Sequence, residues 1–211
     1  VYPSVNKQSI VNKQKNIIFV GRLNHSKGYD LFKDAIIRIL DEFPKWNAYS
    51  IGNEDRRSIY INHPRHKELG FITHKETLKL LNRSEIAVVP SRWEEPFGRT
   101  ALEASSCGCA TIISSRGGLK ETTDSAIILK KLDSYNIYLE IKKLIKKNKN
   151  RKKYQLKGRQ NIKHLISDNT KIIDEIREGC VPFYNINFIR KKLKIINIYN
   201  QGQKLNHRLY N

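Results

Sequence analysis

The stretch Pro90-Ser91-Arg92-Trp93-Glu94-Glu95-Pro96-Phe97-Gly98-Arg99-Thr100-Ala101-Leu102-Glu103-Ala104 holds two carboxylates in the spacing Glu-x7-Glu, at Glu95 and Glu103. Ionised carboxylates are strong acceptors for sugar hydroxyls, so one in a loop and one on a helix can grip two different sugars. Gly98 leaves room for a ligand to approach the backbone closely. A second loop, Arg22-Leu23-Asn24-His25-Ser26-Lys27-Gly28, offers two cations. The planar guanidinium of Arg22 suits two phosphate oxygens, and the Lys27 ammonium is a compact mobile charge. Together they would neutralise a diphosphate. Each residue also has a plainer reading, in which the carboxylates cap and solvate a helix and the cations simply face water.

Positioning these groups is the work of the flanking elements. Ile86 to Val89 reads as a buried parallel strand, Pro96 keeps Glu95 out of helical geometry, and helix-compatible residues run from Arg99 to Ser106. A helix N-terminus after such a loop presents free N–H groups and the positive end of the helix dipole to an anion. Upstream, Asn16 to Gly21 predicts a first strand, and Tyr29 to Phe43 predicts a helix from Leu31, Phe32, Ala35, Ile36, Ile39 and Leu40. Trp46–Ile51 predicts a second strand and Glu68–Ile72 a third. Thr73 with Glu76 forms a capping box that opens a helix carrying Leu78, Leu80 and Leu81. Ser84–Val89, Ala110–Ser114 and Ala126–Leu129 complete the strands. Alternating strands and helices predict an α/β fold, a doubly wound, Rossmann-like parallel sheet with right-handed crossovers, followed by trailing helices. Ligands of such sheets lie outside the carboxyl ends of the strands, where loops 21–28, 52–55, 72–75, 90–98 and 115–121 carry the charged and glycine-bearing motifs.

Composition narrows the class. The 211 residues include 40 Lys+Arg against 20 Asp+Glu, a net charge of +20. That balance fits a polyanion or an anionic membrane face as neighbour, or a coding bias toward Lys, Asn and Ile. No run of 18 apolar residues occurs, so no transmembrane helix is expected. Val1-Tyr2-Pro3-Ser4 has neither a basic nor an apolar signal region and reads as the interior of a longer chain. Cys107, Cys109 and Cys180 lack metal-ligand spacing and read as packing residues, which fits a cytoplasmic protein. From Asp133 the chain turns helical and basic, with Lys142, Lys143, Lys146, Lys147, Lys149, Arg151, Lys152 and Lys153 opposite an apolar face. This run reads as a solvated face or as a docking surface for an anionic membrane or glycolipid.

Taken jointly, the motifs resemble the donor-binding C-terminal half of family 4 retaining glycosyltransferases of the GT-B fold, among the glycosyl transferases group 1. The residues that carry this are Gly21-Arg22-Leu23…Lys27-Gly28, Gly70-Phe71, Pro90-Ser91…Glu95-Pro96-Phe97-Gly98…Glu103-Ala104…Cys107-Gly108 and Gly117-Gly118-Leu119-Lys120-Glu121. The resemblance covers about residues 16–180. It implies that Arg22 and Lys27 hold the donor diphosphate, Glu95 the transferred sugar and Glu103 the ribose hydroxyls. It implies that Phe97, Gly98 and Arg99 approach phosphate or sugar through their backbone, that Gly21 lies by the donor, and that Ile72 and Thr73 meet the base. No metal or other cofactor is expected. The implied partners are a UDP- or GDP-sugar and a glycan or glycolipid acceptor, with an anionic membrane surface as a further contact. The chain departs from the pattern at Cys109-Ala110, where a proline is usual, and at Asn53-Glu54, where a second glycine is usual. Glu94-Glu95 offers a choice that spacing to Glu103 settles for Glu95, and Trp93 either packs or shields the donor.

The expected organisation is a linker over 1–15 from a missing N-terminal domain, a nucleotide-sugar-binding domain over 16–165, a helix over 166–182 that would pack on the missing half, and 183–211 as a basic tail or the start of another domain. The expected activity is sugar transfer with retention in surface polysaccharide or lipopolysaccharide synthesis, absent from this piece alone. The rivals are a basic nucleic-acid-binding module, which lacks helix-turn-helix or zinc signatures, and a non-catalytic remnant.

Overall fold

The buried strands form where β-branched and other apolar residues run together. In the computed structural model Ile17, Ile18, Ile86, Ile112 and Ile113 are all wholly buried. The structure describes residue 5, residues 11–55 and 59–160, and the helix over 166–180. The strands are β1 (Gln14–Val20), β2 (Asn47–Ile51), β3 (His66–Glu68), β4 (Ser84–Val89), β5 (Ala110–Ile113) and β6 (Ile127–Ile128). They form one parallel sheet in the order β3-β2-β1-β4-β5-β6. The chain therefore steps outward on one side of β1 and then returns to lay β4 on its other side. That reversal leaves a crevice beyond the carboxyl ends of β1 and β4.

The helices are α1 (Tyr29–Glu42), α2 (His74–Arg83), α3 (Arg99–Ser106), α4 (Leu119–Thr122), α5 (Ser134–Lys146), α6 (Asn148–Gln160) and α7 (Ile166–Cys180). In α1 the spacing of Phe32, Ala35, Ile36, Ile39 and Leu40 puts one continuous stripe against the sheet, as the periodicity predicts. With Phe19, Val88, Ile137, Ile141 and Leu144 it makes the larger core, and the Phe19 ring stands 5.0 Å from Tyr29 and 5.3 Å from Phe32. On the opposite face Ile18, Ile51, Ala87, Leu81, Ala104, Cys107 and Cys109 bury α2 and α3. Cys107 and Cys109 are thus packing residues.

Lys13 ties down the amino edge of the sheet. Its Nζ donates to the carbonyls of Ser84 and Cys107, both at 2.8 Å, and of Leu81 at 3.3 Å. Burial pushes this ammonium below its ordinary pKa, and the three carbonyls are what make a buried cation tolerable.

The third strand differs from expectation. It is His66–Glu68; Leu69 N still donates to Ser50 O at 2.9 Å and Gly70 O still accepts from Gly52 N at 2.8 Å, and residues 71–72 lie beyond that pairing. Gly70 turns in the left-handed region at φ 63°, which ends the extended run. Leu69 and Ile72 instead drop onto the α2 side of the core, while Phe71 stands 88% exposed. Residues 119–122 of the expected loop close into the single turn α4. Among the described residues, those up to Asn169 belong to one compact unit and those from Thr170 to another. The linker reading of 1–15 overlaps β1 at Gln14 and Lys15; its residues 1–10, apart from Val5, and the tail reading of 183–211 lie outside the described residues.

Candidate functional site

The loop after β1 is held by its own polar residues. Asn24 Oδ1 accepts from Lys27 N at 3.1 Å and from Ser26 Oγ at 2.8 Å, while Asn24 Nδ2 donates to Glu54 Oε2 at 2.7 Å. Glu54, of the Asn53-Glu54 pair that stands where the resembled pattern has a second glycine, therefore braces this loop from just beyond β2. The loop also lies directly against the one after β4. Gly28 sits at φ 71°, and a Cβ there would fall 2.0 Å from the Pro90 carbonyl oxygen. Arg92 then clamps the two loops: its guanidinium donates to both oxygens of Asp30 at 2.6 Å and to His25 O at 2.6 Å. Burial alone would raise the Asp30 carboxyl, but the Arg92 hydrogen bonds outweigh it and hold the pKa below its ordinary value.

The clamp brings Lys27 Nζ to 2.6 Å from Glu95 Oε1. Lys27, Glu95, Gly21, Ser91, Gly98, Arg99 and Thr100 line a cavity of about 170 Å³ over the ends of β1 and β4. The neighbouring Glu94 turns elsewhere, accepting from Arg116 Nη1 at 3.0 Å and Gly117 N at 2.5 Å. Gly118 N donates to Glu95 O at 2.7 Å, so the Gly117-Gly118 turn is the seat of the Glu94-Glu95 loop. A Cβ on Gly117 would meet Glu95 O at 2.3 Å. The structure thus separates the two glutamates: Glu95 faces the cavity and Glu94 anchors the loop.

Gly98 opens α3 at φ 86°, and no side chain caps that helix N-terminus. Arg99 and Thr100 line the cavity, and no side chain caps their first-turn amides. The Phe97 ring packs with Val5 and Leu102, so its side chain belongs to the core. Arg22 is exposed on the same loop as Lys27 and has no ion pair or hydrogen bond among the described residues.

Glu103 lies one turn further along α3 and is only 6% exposed. Its Oε1 accepts from Arg99 Nε at 2.8 Å and bonds His74 Nε2 at 2.9 Å. His74 is the first residue of α2, placed there by the Thr73–Glu76 capping box, in which Thr73 Oγ1 donates to Glu76 Oε2 at 2.6 Å. The Thr73 hydroxyl is thereby committed to the cap, and Ile72 is half-buried against the α2 side of the core, beyond the end of β3.

The family model described as Glycosyl transferases group 1 matches residues 4–161. The chain belongs to that family. The chain is 36% identical over 121 residues to an uncharacterized glycosyltransferase, MJ1607, of Methanocaldococcus jannaschii, a match over 53% of this chain and 30% of that protein. It is 35% identical over 112 residues to the glycogen synthase of Mycobacterium tuberculosis, covering 50% of this chain and 27% of that one. The chain thus spans under a third of the length of these curated relatives. Among solved structures, the C-terminal domain of LpcC, a group 1 glycosyl transferase of Francisella tularensis, superposes with a TM-score of 0.62 at 26% identity, over 75% of this chain and 92% of that one. HepE of Anabaena, solved in complex with UDP-glucose, shares the fold at a TM-score of 0.65 and 18% identity, over 78% of this chain and 49% of that one. The α/β sheet of this chain is accordingly a GT-B-type, Rossmann-like half.

Of the residues singled out in the sequence, Gly21, Lys27, Glu95, Gly98 and Arg99 meet at one cavity. Glu103 joins them through Arg99. Arg22, Ile72 and Thr73 stand outside the cavity lining. His74, Asn24, Glu54, Asp30 and Arg92 were missed. Only His74 had a local signal, since the capping box makes the residue after Thr73 the first of a helix. Among the described residues no group of three His, Cys, Asp or Glu side chains could hold a metal ion, and no helix is long and apolar enough to cross a membrane.

Proposed function

We propose that this chain is the donor-binding half of a retaining glycosyltransferase that uses a nucleotide-diphospho sugar, a UDP- or GDP-sugar, and delivers the sugar to a hydroxyl of a glycan or glycolipid. The observation that carries this is the meeting of Lys27 and Glu95 at 2.6 Å beside the uncapped start of α3. A diphosphate needs cations and free N–H groups; a sugar needs a carboxylate acceptor. One small cavity presents both.

When the glycosidic bond to the diphosphate breaks, negative charge grows on the leaving oxygens. Lys27 and the first-turn amides of α3 gain interaction energy as it grows, which lowers the barrier rather than merely tightening binding. Arg22, exposed on the same loop, swings to the outer phosphate oxygens. These side-chain cations carry the charge that a metal would otherwise carry. Glu95 accepts hydrogen bonds from the transferred sugar, and Glu103, fixed by Arg99 and His74, takes the ribose hydroxyls with its remaining lone pairs. The acceptor comes from an N-terminal domain, and the reaction belongs to surface polysaccharide or lipopolysaccharide synthesis at the inner face of the membrane.

Titration calorimetry of the chain with UDP and GDP tests the donor site. Saturable binding of one of them, weakened by about 10- to 100-fold in Lys27→Ala, is the expected result. No heat at millimolar nucleotide from a chain that still melts cooperatively would overturn the reading.

A further inference from the structure

We infer that the outer face of α6 docks on an anionic lipid bilayer. The basic run that begins in α5 is not one surface. In α5 the charges are answered: Lys142 Nζ lies 2.9 Å from Glu42 Oε1, Lys146 Nζ reaches the same oxygen at 4.0 Å, and Lys143 pairs with Glu140 at 2.7 Å. In α6, Asn-Lys-Asn-Arg-Lys-Lys-Tyr-Gln-Leu-Lys-Gly-Arg-Gln, there is no carboxylate at all.

The two arginines of α6 face inward. Arg151 pairs with Glu85, donates to Leu144 O at 2.7 Å and stacks 5.2 Å over the Trp46 ring. Arg159 donates to Asn82 Oδ1 at 2.8 Å and Cys107 O at 3.0 Å. What remains outside is Lys149, Lys152, Lys153 and Lys157, all exposed and with no ion pair or hydrogen bond among the described residues. Their spacing of i, i+3, i+4 and i+8 sets them on one side of the helix, over about 12 Å of its length. Leu156 lies at the centre of that side and is 56% exposed.

Like charges at these spacings oppose the helix, so the arrangement costs stability that an anionic surface returns. The chemistry selects the kind of anion. Nucleic-acid recognition draws on arginine forks and stacking aromatics, and here both arginines are spent inside and Tyr154 is packed against the core. Lysines with long apolar stems around one exposed leucine match a headgroup layer: the ammonium groups stay among lipid phosphates while Leu156 enters the acyl boundary. The location permits it. Gln155 donates to Glu85 O at 3.0 Å, and Arg159 reaches Cys107 O, so α6 crosses the amino edge of the sheet. The cavity lies at the other edge and stays open when α6 is docked.

Sedimentation of the whole chain with vesicles tests this. The chain is expected to pellet with phosphatidylcholine vesicles doped with phosphatidylglycerol at low salt and not with pure phosphatidylcholine. The K149Q/K152Q/K153Q/K157Q substitutions together should weaken that binding on the order of 100-fold or more, from about fivefold per lysine near the surface. Leu156→Gln, at unchanged charge, should weaken it several-fold. Far-ultraviolet circular dichroism confirms that the variants are folded. Equal binding by the fourfold variant and the parent, or no binding by the parent, overturns the proposal. So does a DNA duplex that binds through these lysines when anionic vesicles do not.

Discussion

Lys27 and Glu95 neutralise each other across 2.6 Å at the mouth of one cavity, so any ligand that uses both must first part them. A nucleoside diphosphate needs only Lys27. With Glu95→Gln the ammonium loses its competitor, and UDP or GDP should bind at least as tightly as to the parent. Lys27→Met should weaken the same nucleotide by about 10- to 100-fold, the cost of about 1.5–3 kcal/mol for a charge-assisted bond. Calorimetry on the two variants decides it: a Glu95→Gln variant that binds much more weakly would mean that Glu95 holds the nucleotide itself.

Glu103 divides the roles further. Its Oε1 is shared by Arg99 and His74, which fixes the carboxylate before any ligand arrives. Glu103→Ala should therefore weaken nucleotide binding by about tenfold or more and more than Glu95→Ala does, while Glu95→Ala should strike transfer in a two-domain protein. The reverse order of the two affinities would break the assignment. His74→Ala should show a smaller loss, because Arg99 still holds the carboxylate.

These contacts mark what was legible in the sequence. The Thr73–Glu76 box could be read because both partners are three residues apart and the motif is complete by itself. The strands could be read because parallel strands buried on both faces are near-continuous apolar runs. Leu69, Phe71 and Ile72 mimicked such a run, yet Leu69 and Ile72 are anchors for the α2 side of the core, and Gly70 bends the chain between them. His74 to Glu103 and Asn24 to Glu54 join residues far apart in the chain, and nothing local announces them. The charge run shows the same limit. Only the fold reveals that Glu42 answers Lys142 while the α6 lysines go unanswered.

Two glycines with similar backbone should differ sharply in tolerance. Gly28 and Gly70 lie at φ 71° and 63°, so alanine costs each about 1–2 kcal/mol in the left-handed region. At Gly70 nothing lies within 4 Å of the added Cβ, and the cost should stop there. At Gly28 the Cβ would sit 2.0 Å from Pro90 O, which is backbone and cannot swing aside. Gly28→Ala should lose more than Gly70→Ala by at least about 1 kcal/mol in urea unfolding, and should also part the loops that carry Lys27 and Glu95. Equal losses would mean that the two loops do not bear on each other as described.

Cys107 and Cys109 supply a prediction in pH. Burial pushes the Cys107 thiol up to about 12, and burial raises Cys109 in the same direction. The thiolate is the reactive form, so in a Cys180→Ser background neither should react with a disulfide reagent at neutral pH until the chain unfolds. The sign for stability follows from linkage. A thiol whose pKa is higher folded than unfolded leaves stability untouched below the unfolded value, and stability falls as pH rises from there toward the folded value. Between about pH 9 and 12 the unfolded chain ionises Cys107 and the folded one does not. Urea unfolding at neutral pH and at about pH 10 should therefore show an alkaline loss that is smaller in Cys107→Ala than in the parent, even though the variant starts lower from its lost packing. An identical alkaline loss in both would show that the thiol at the end of α3 is not the group whose ionisation opposes the fold.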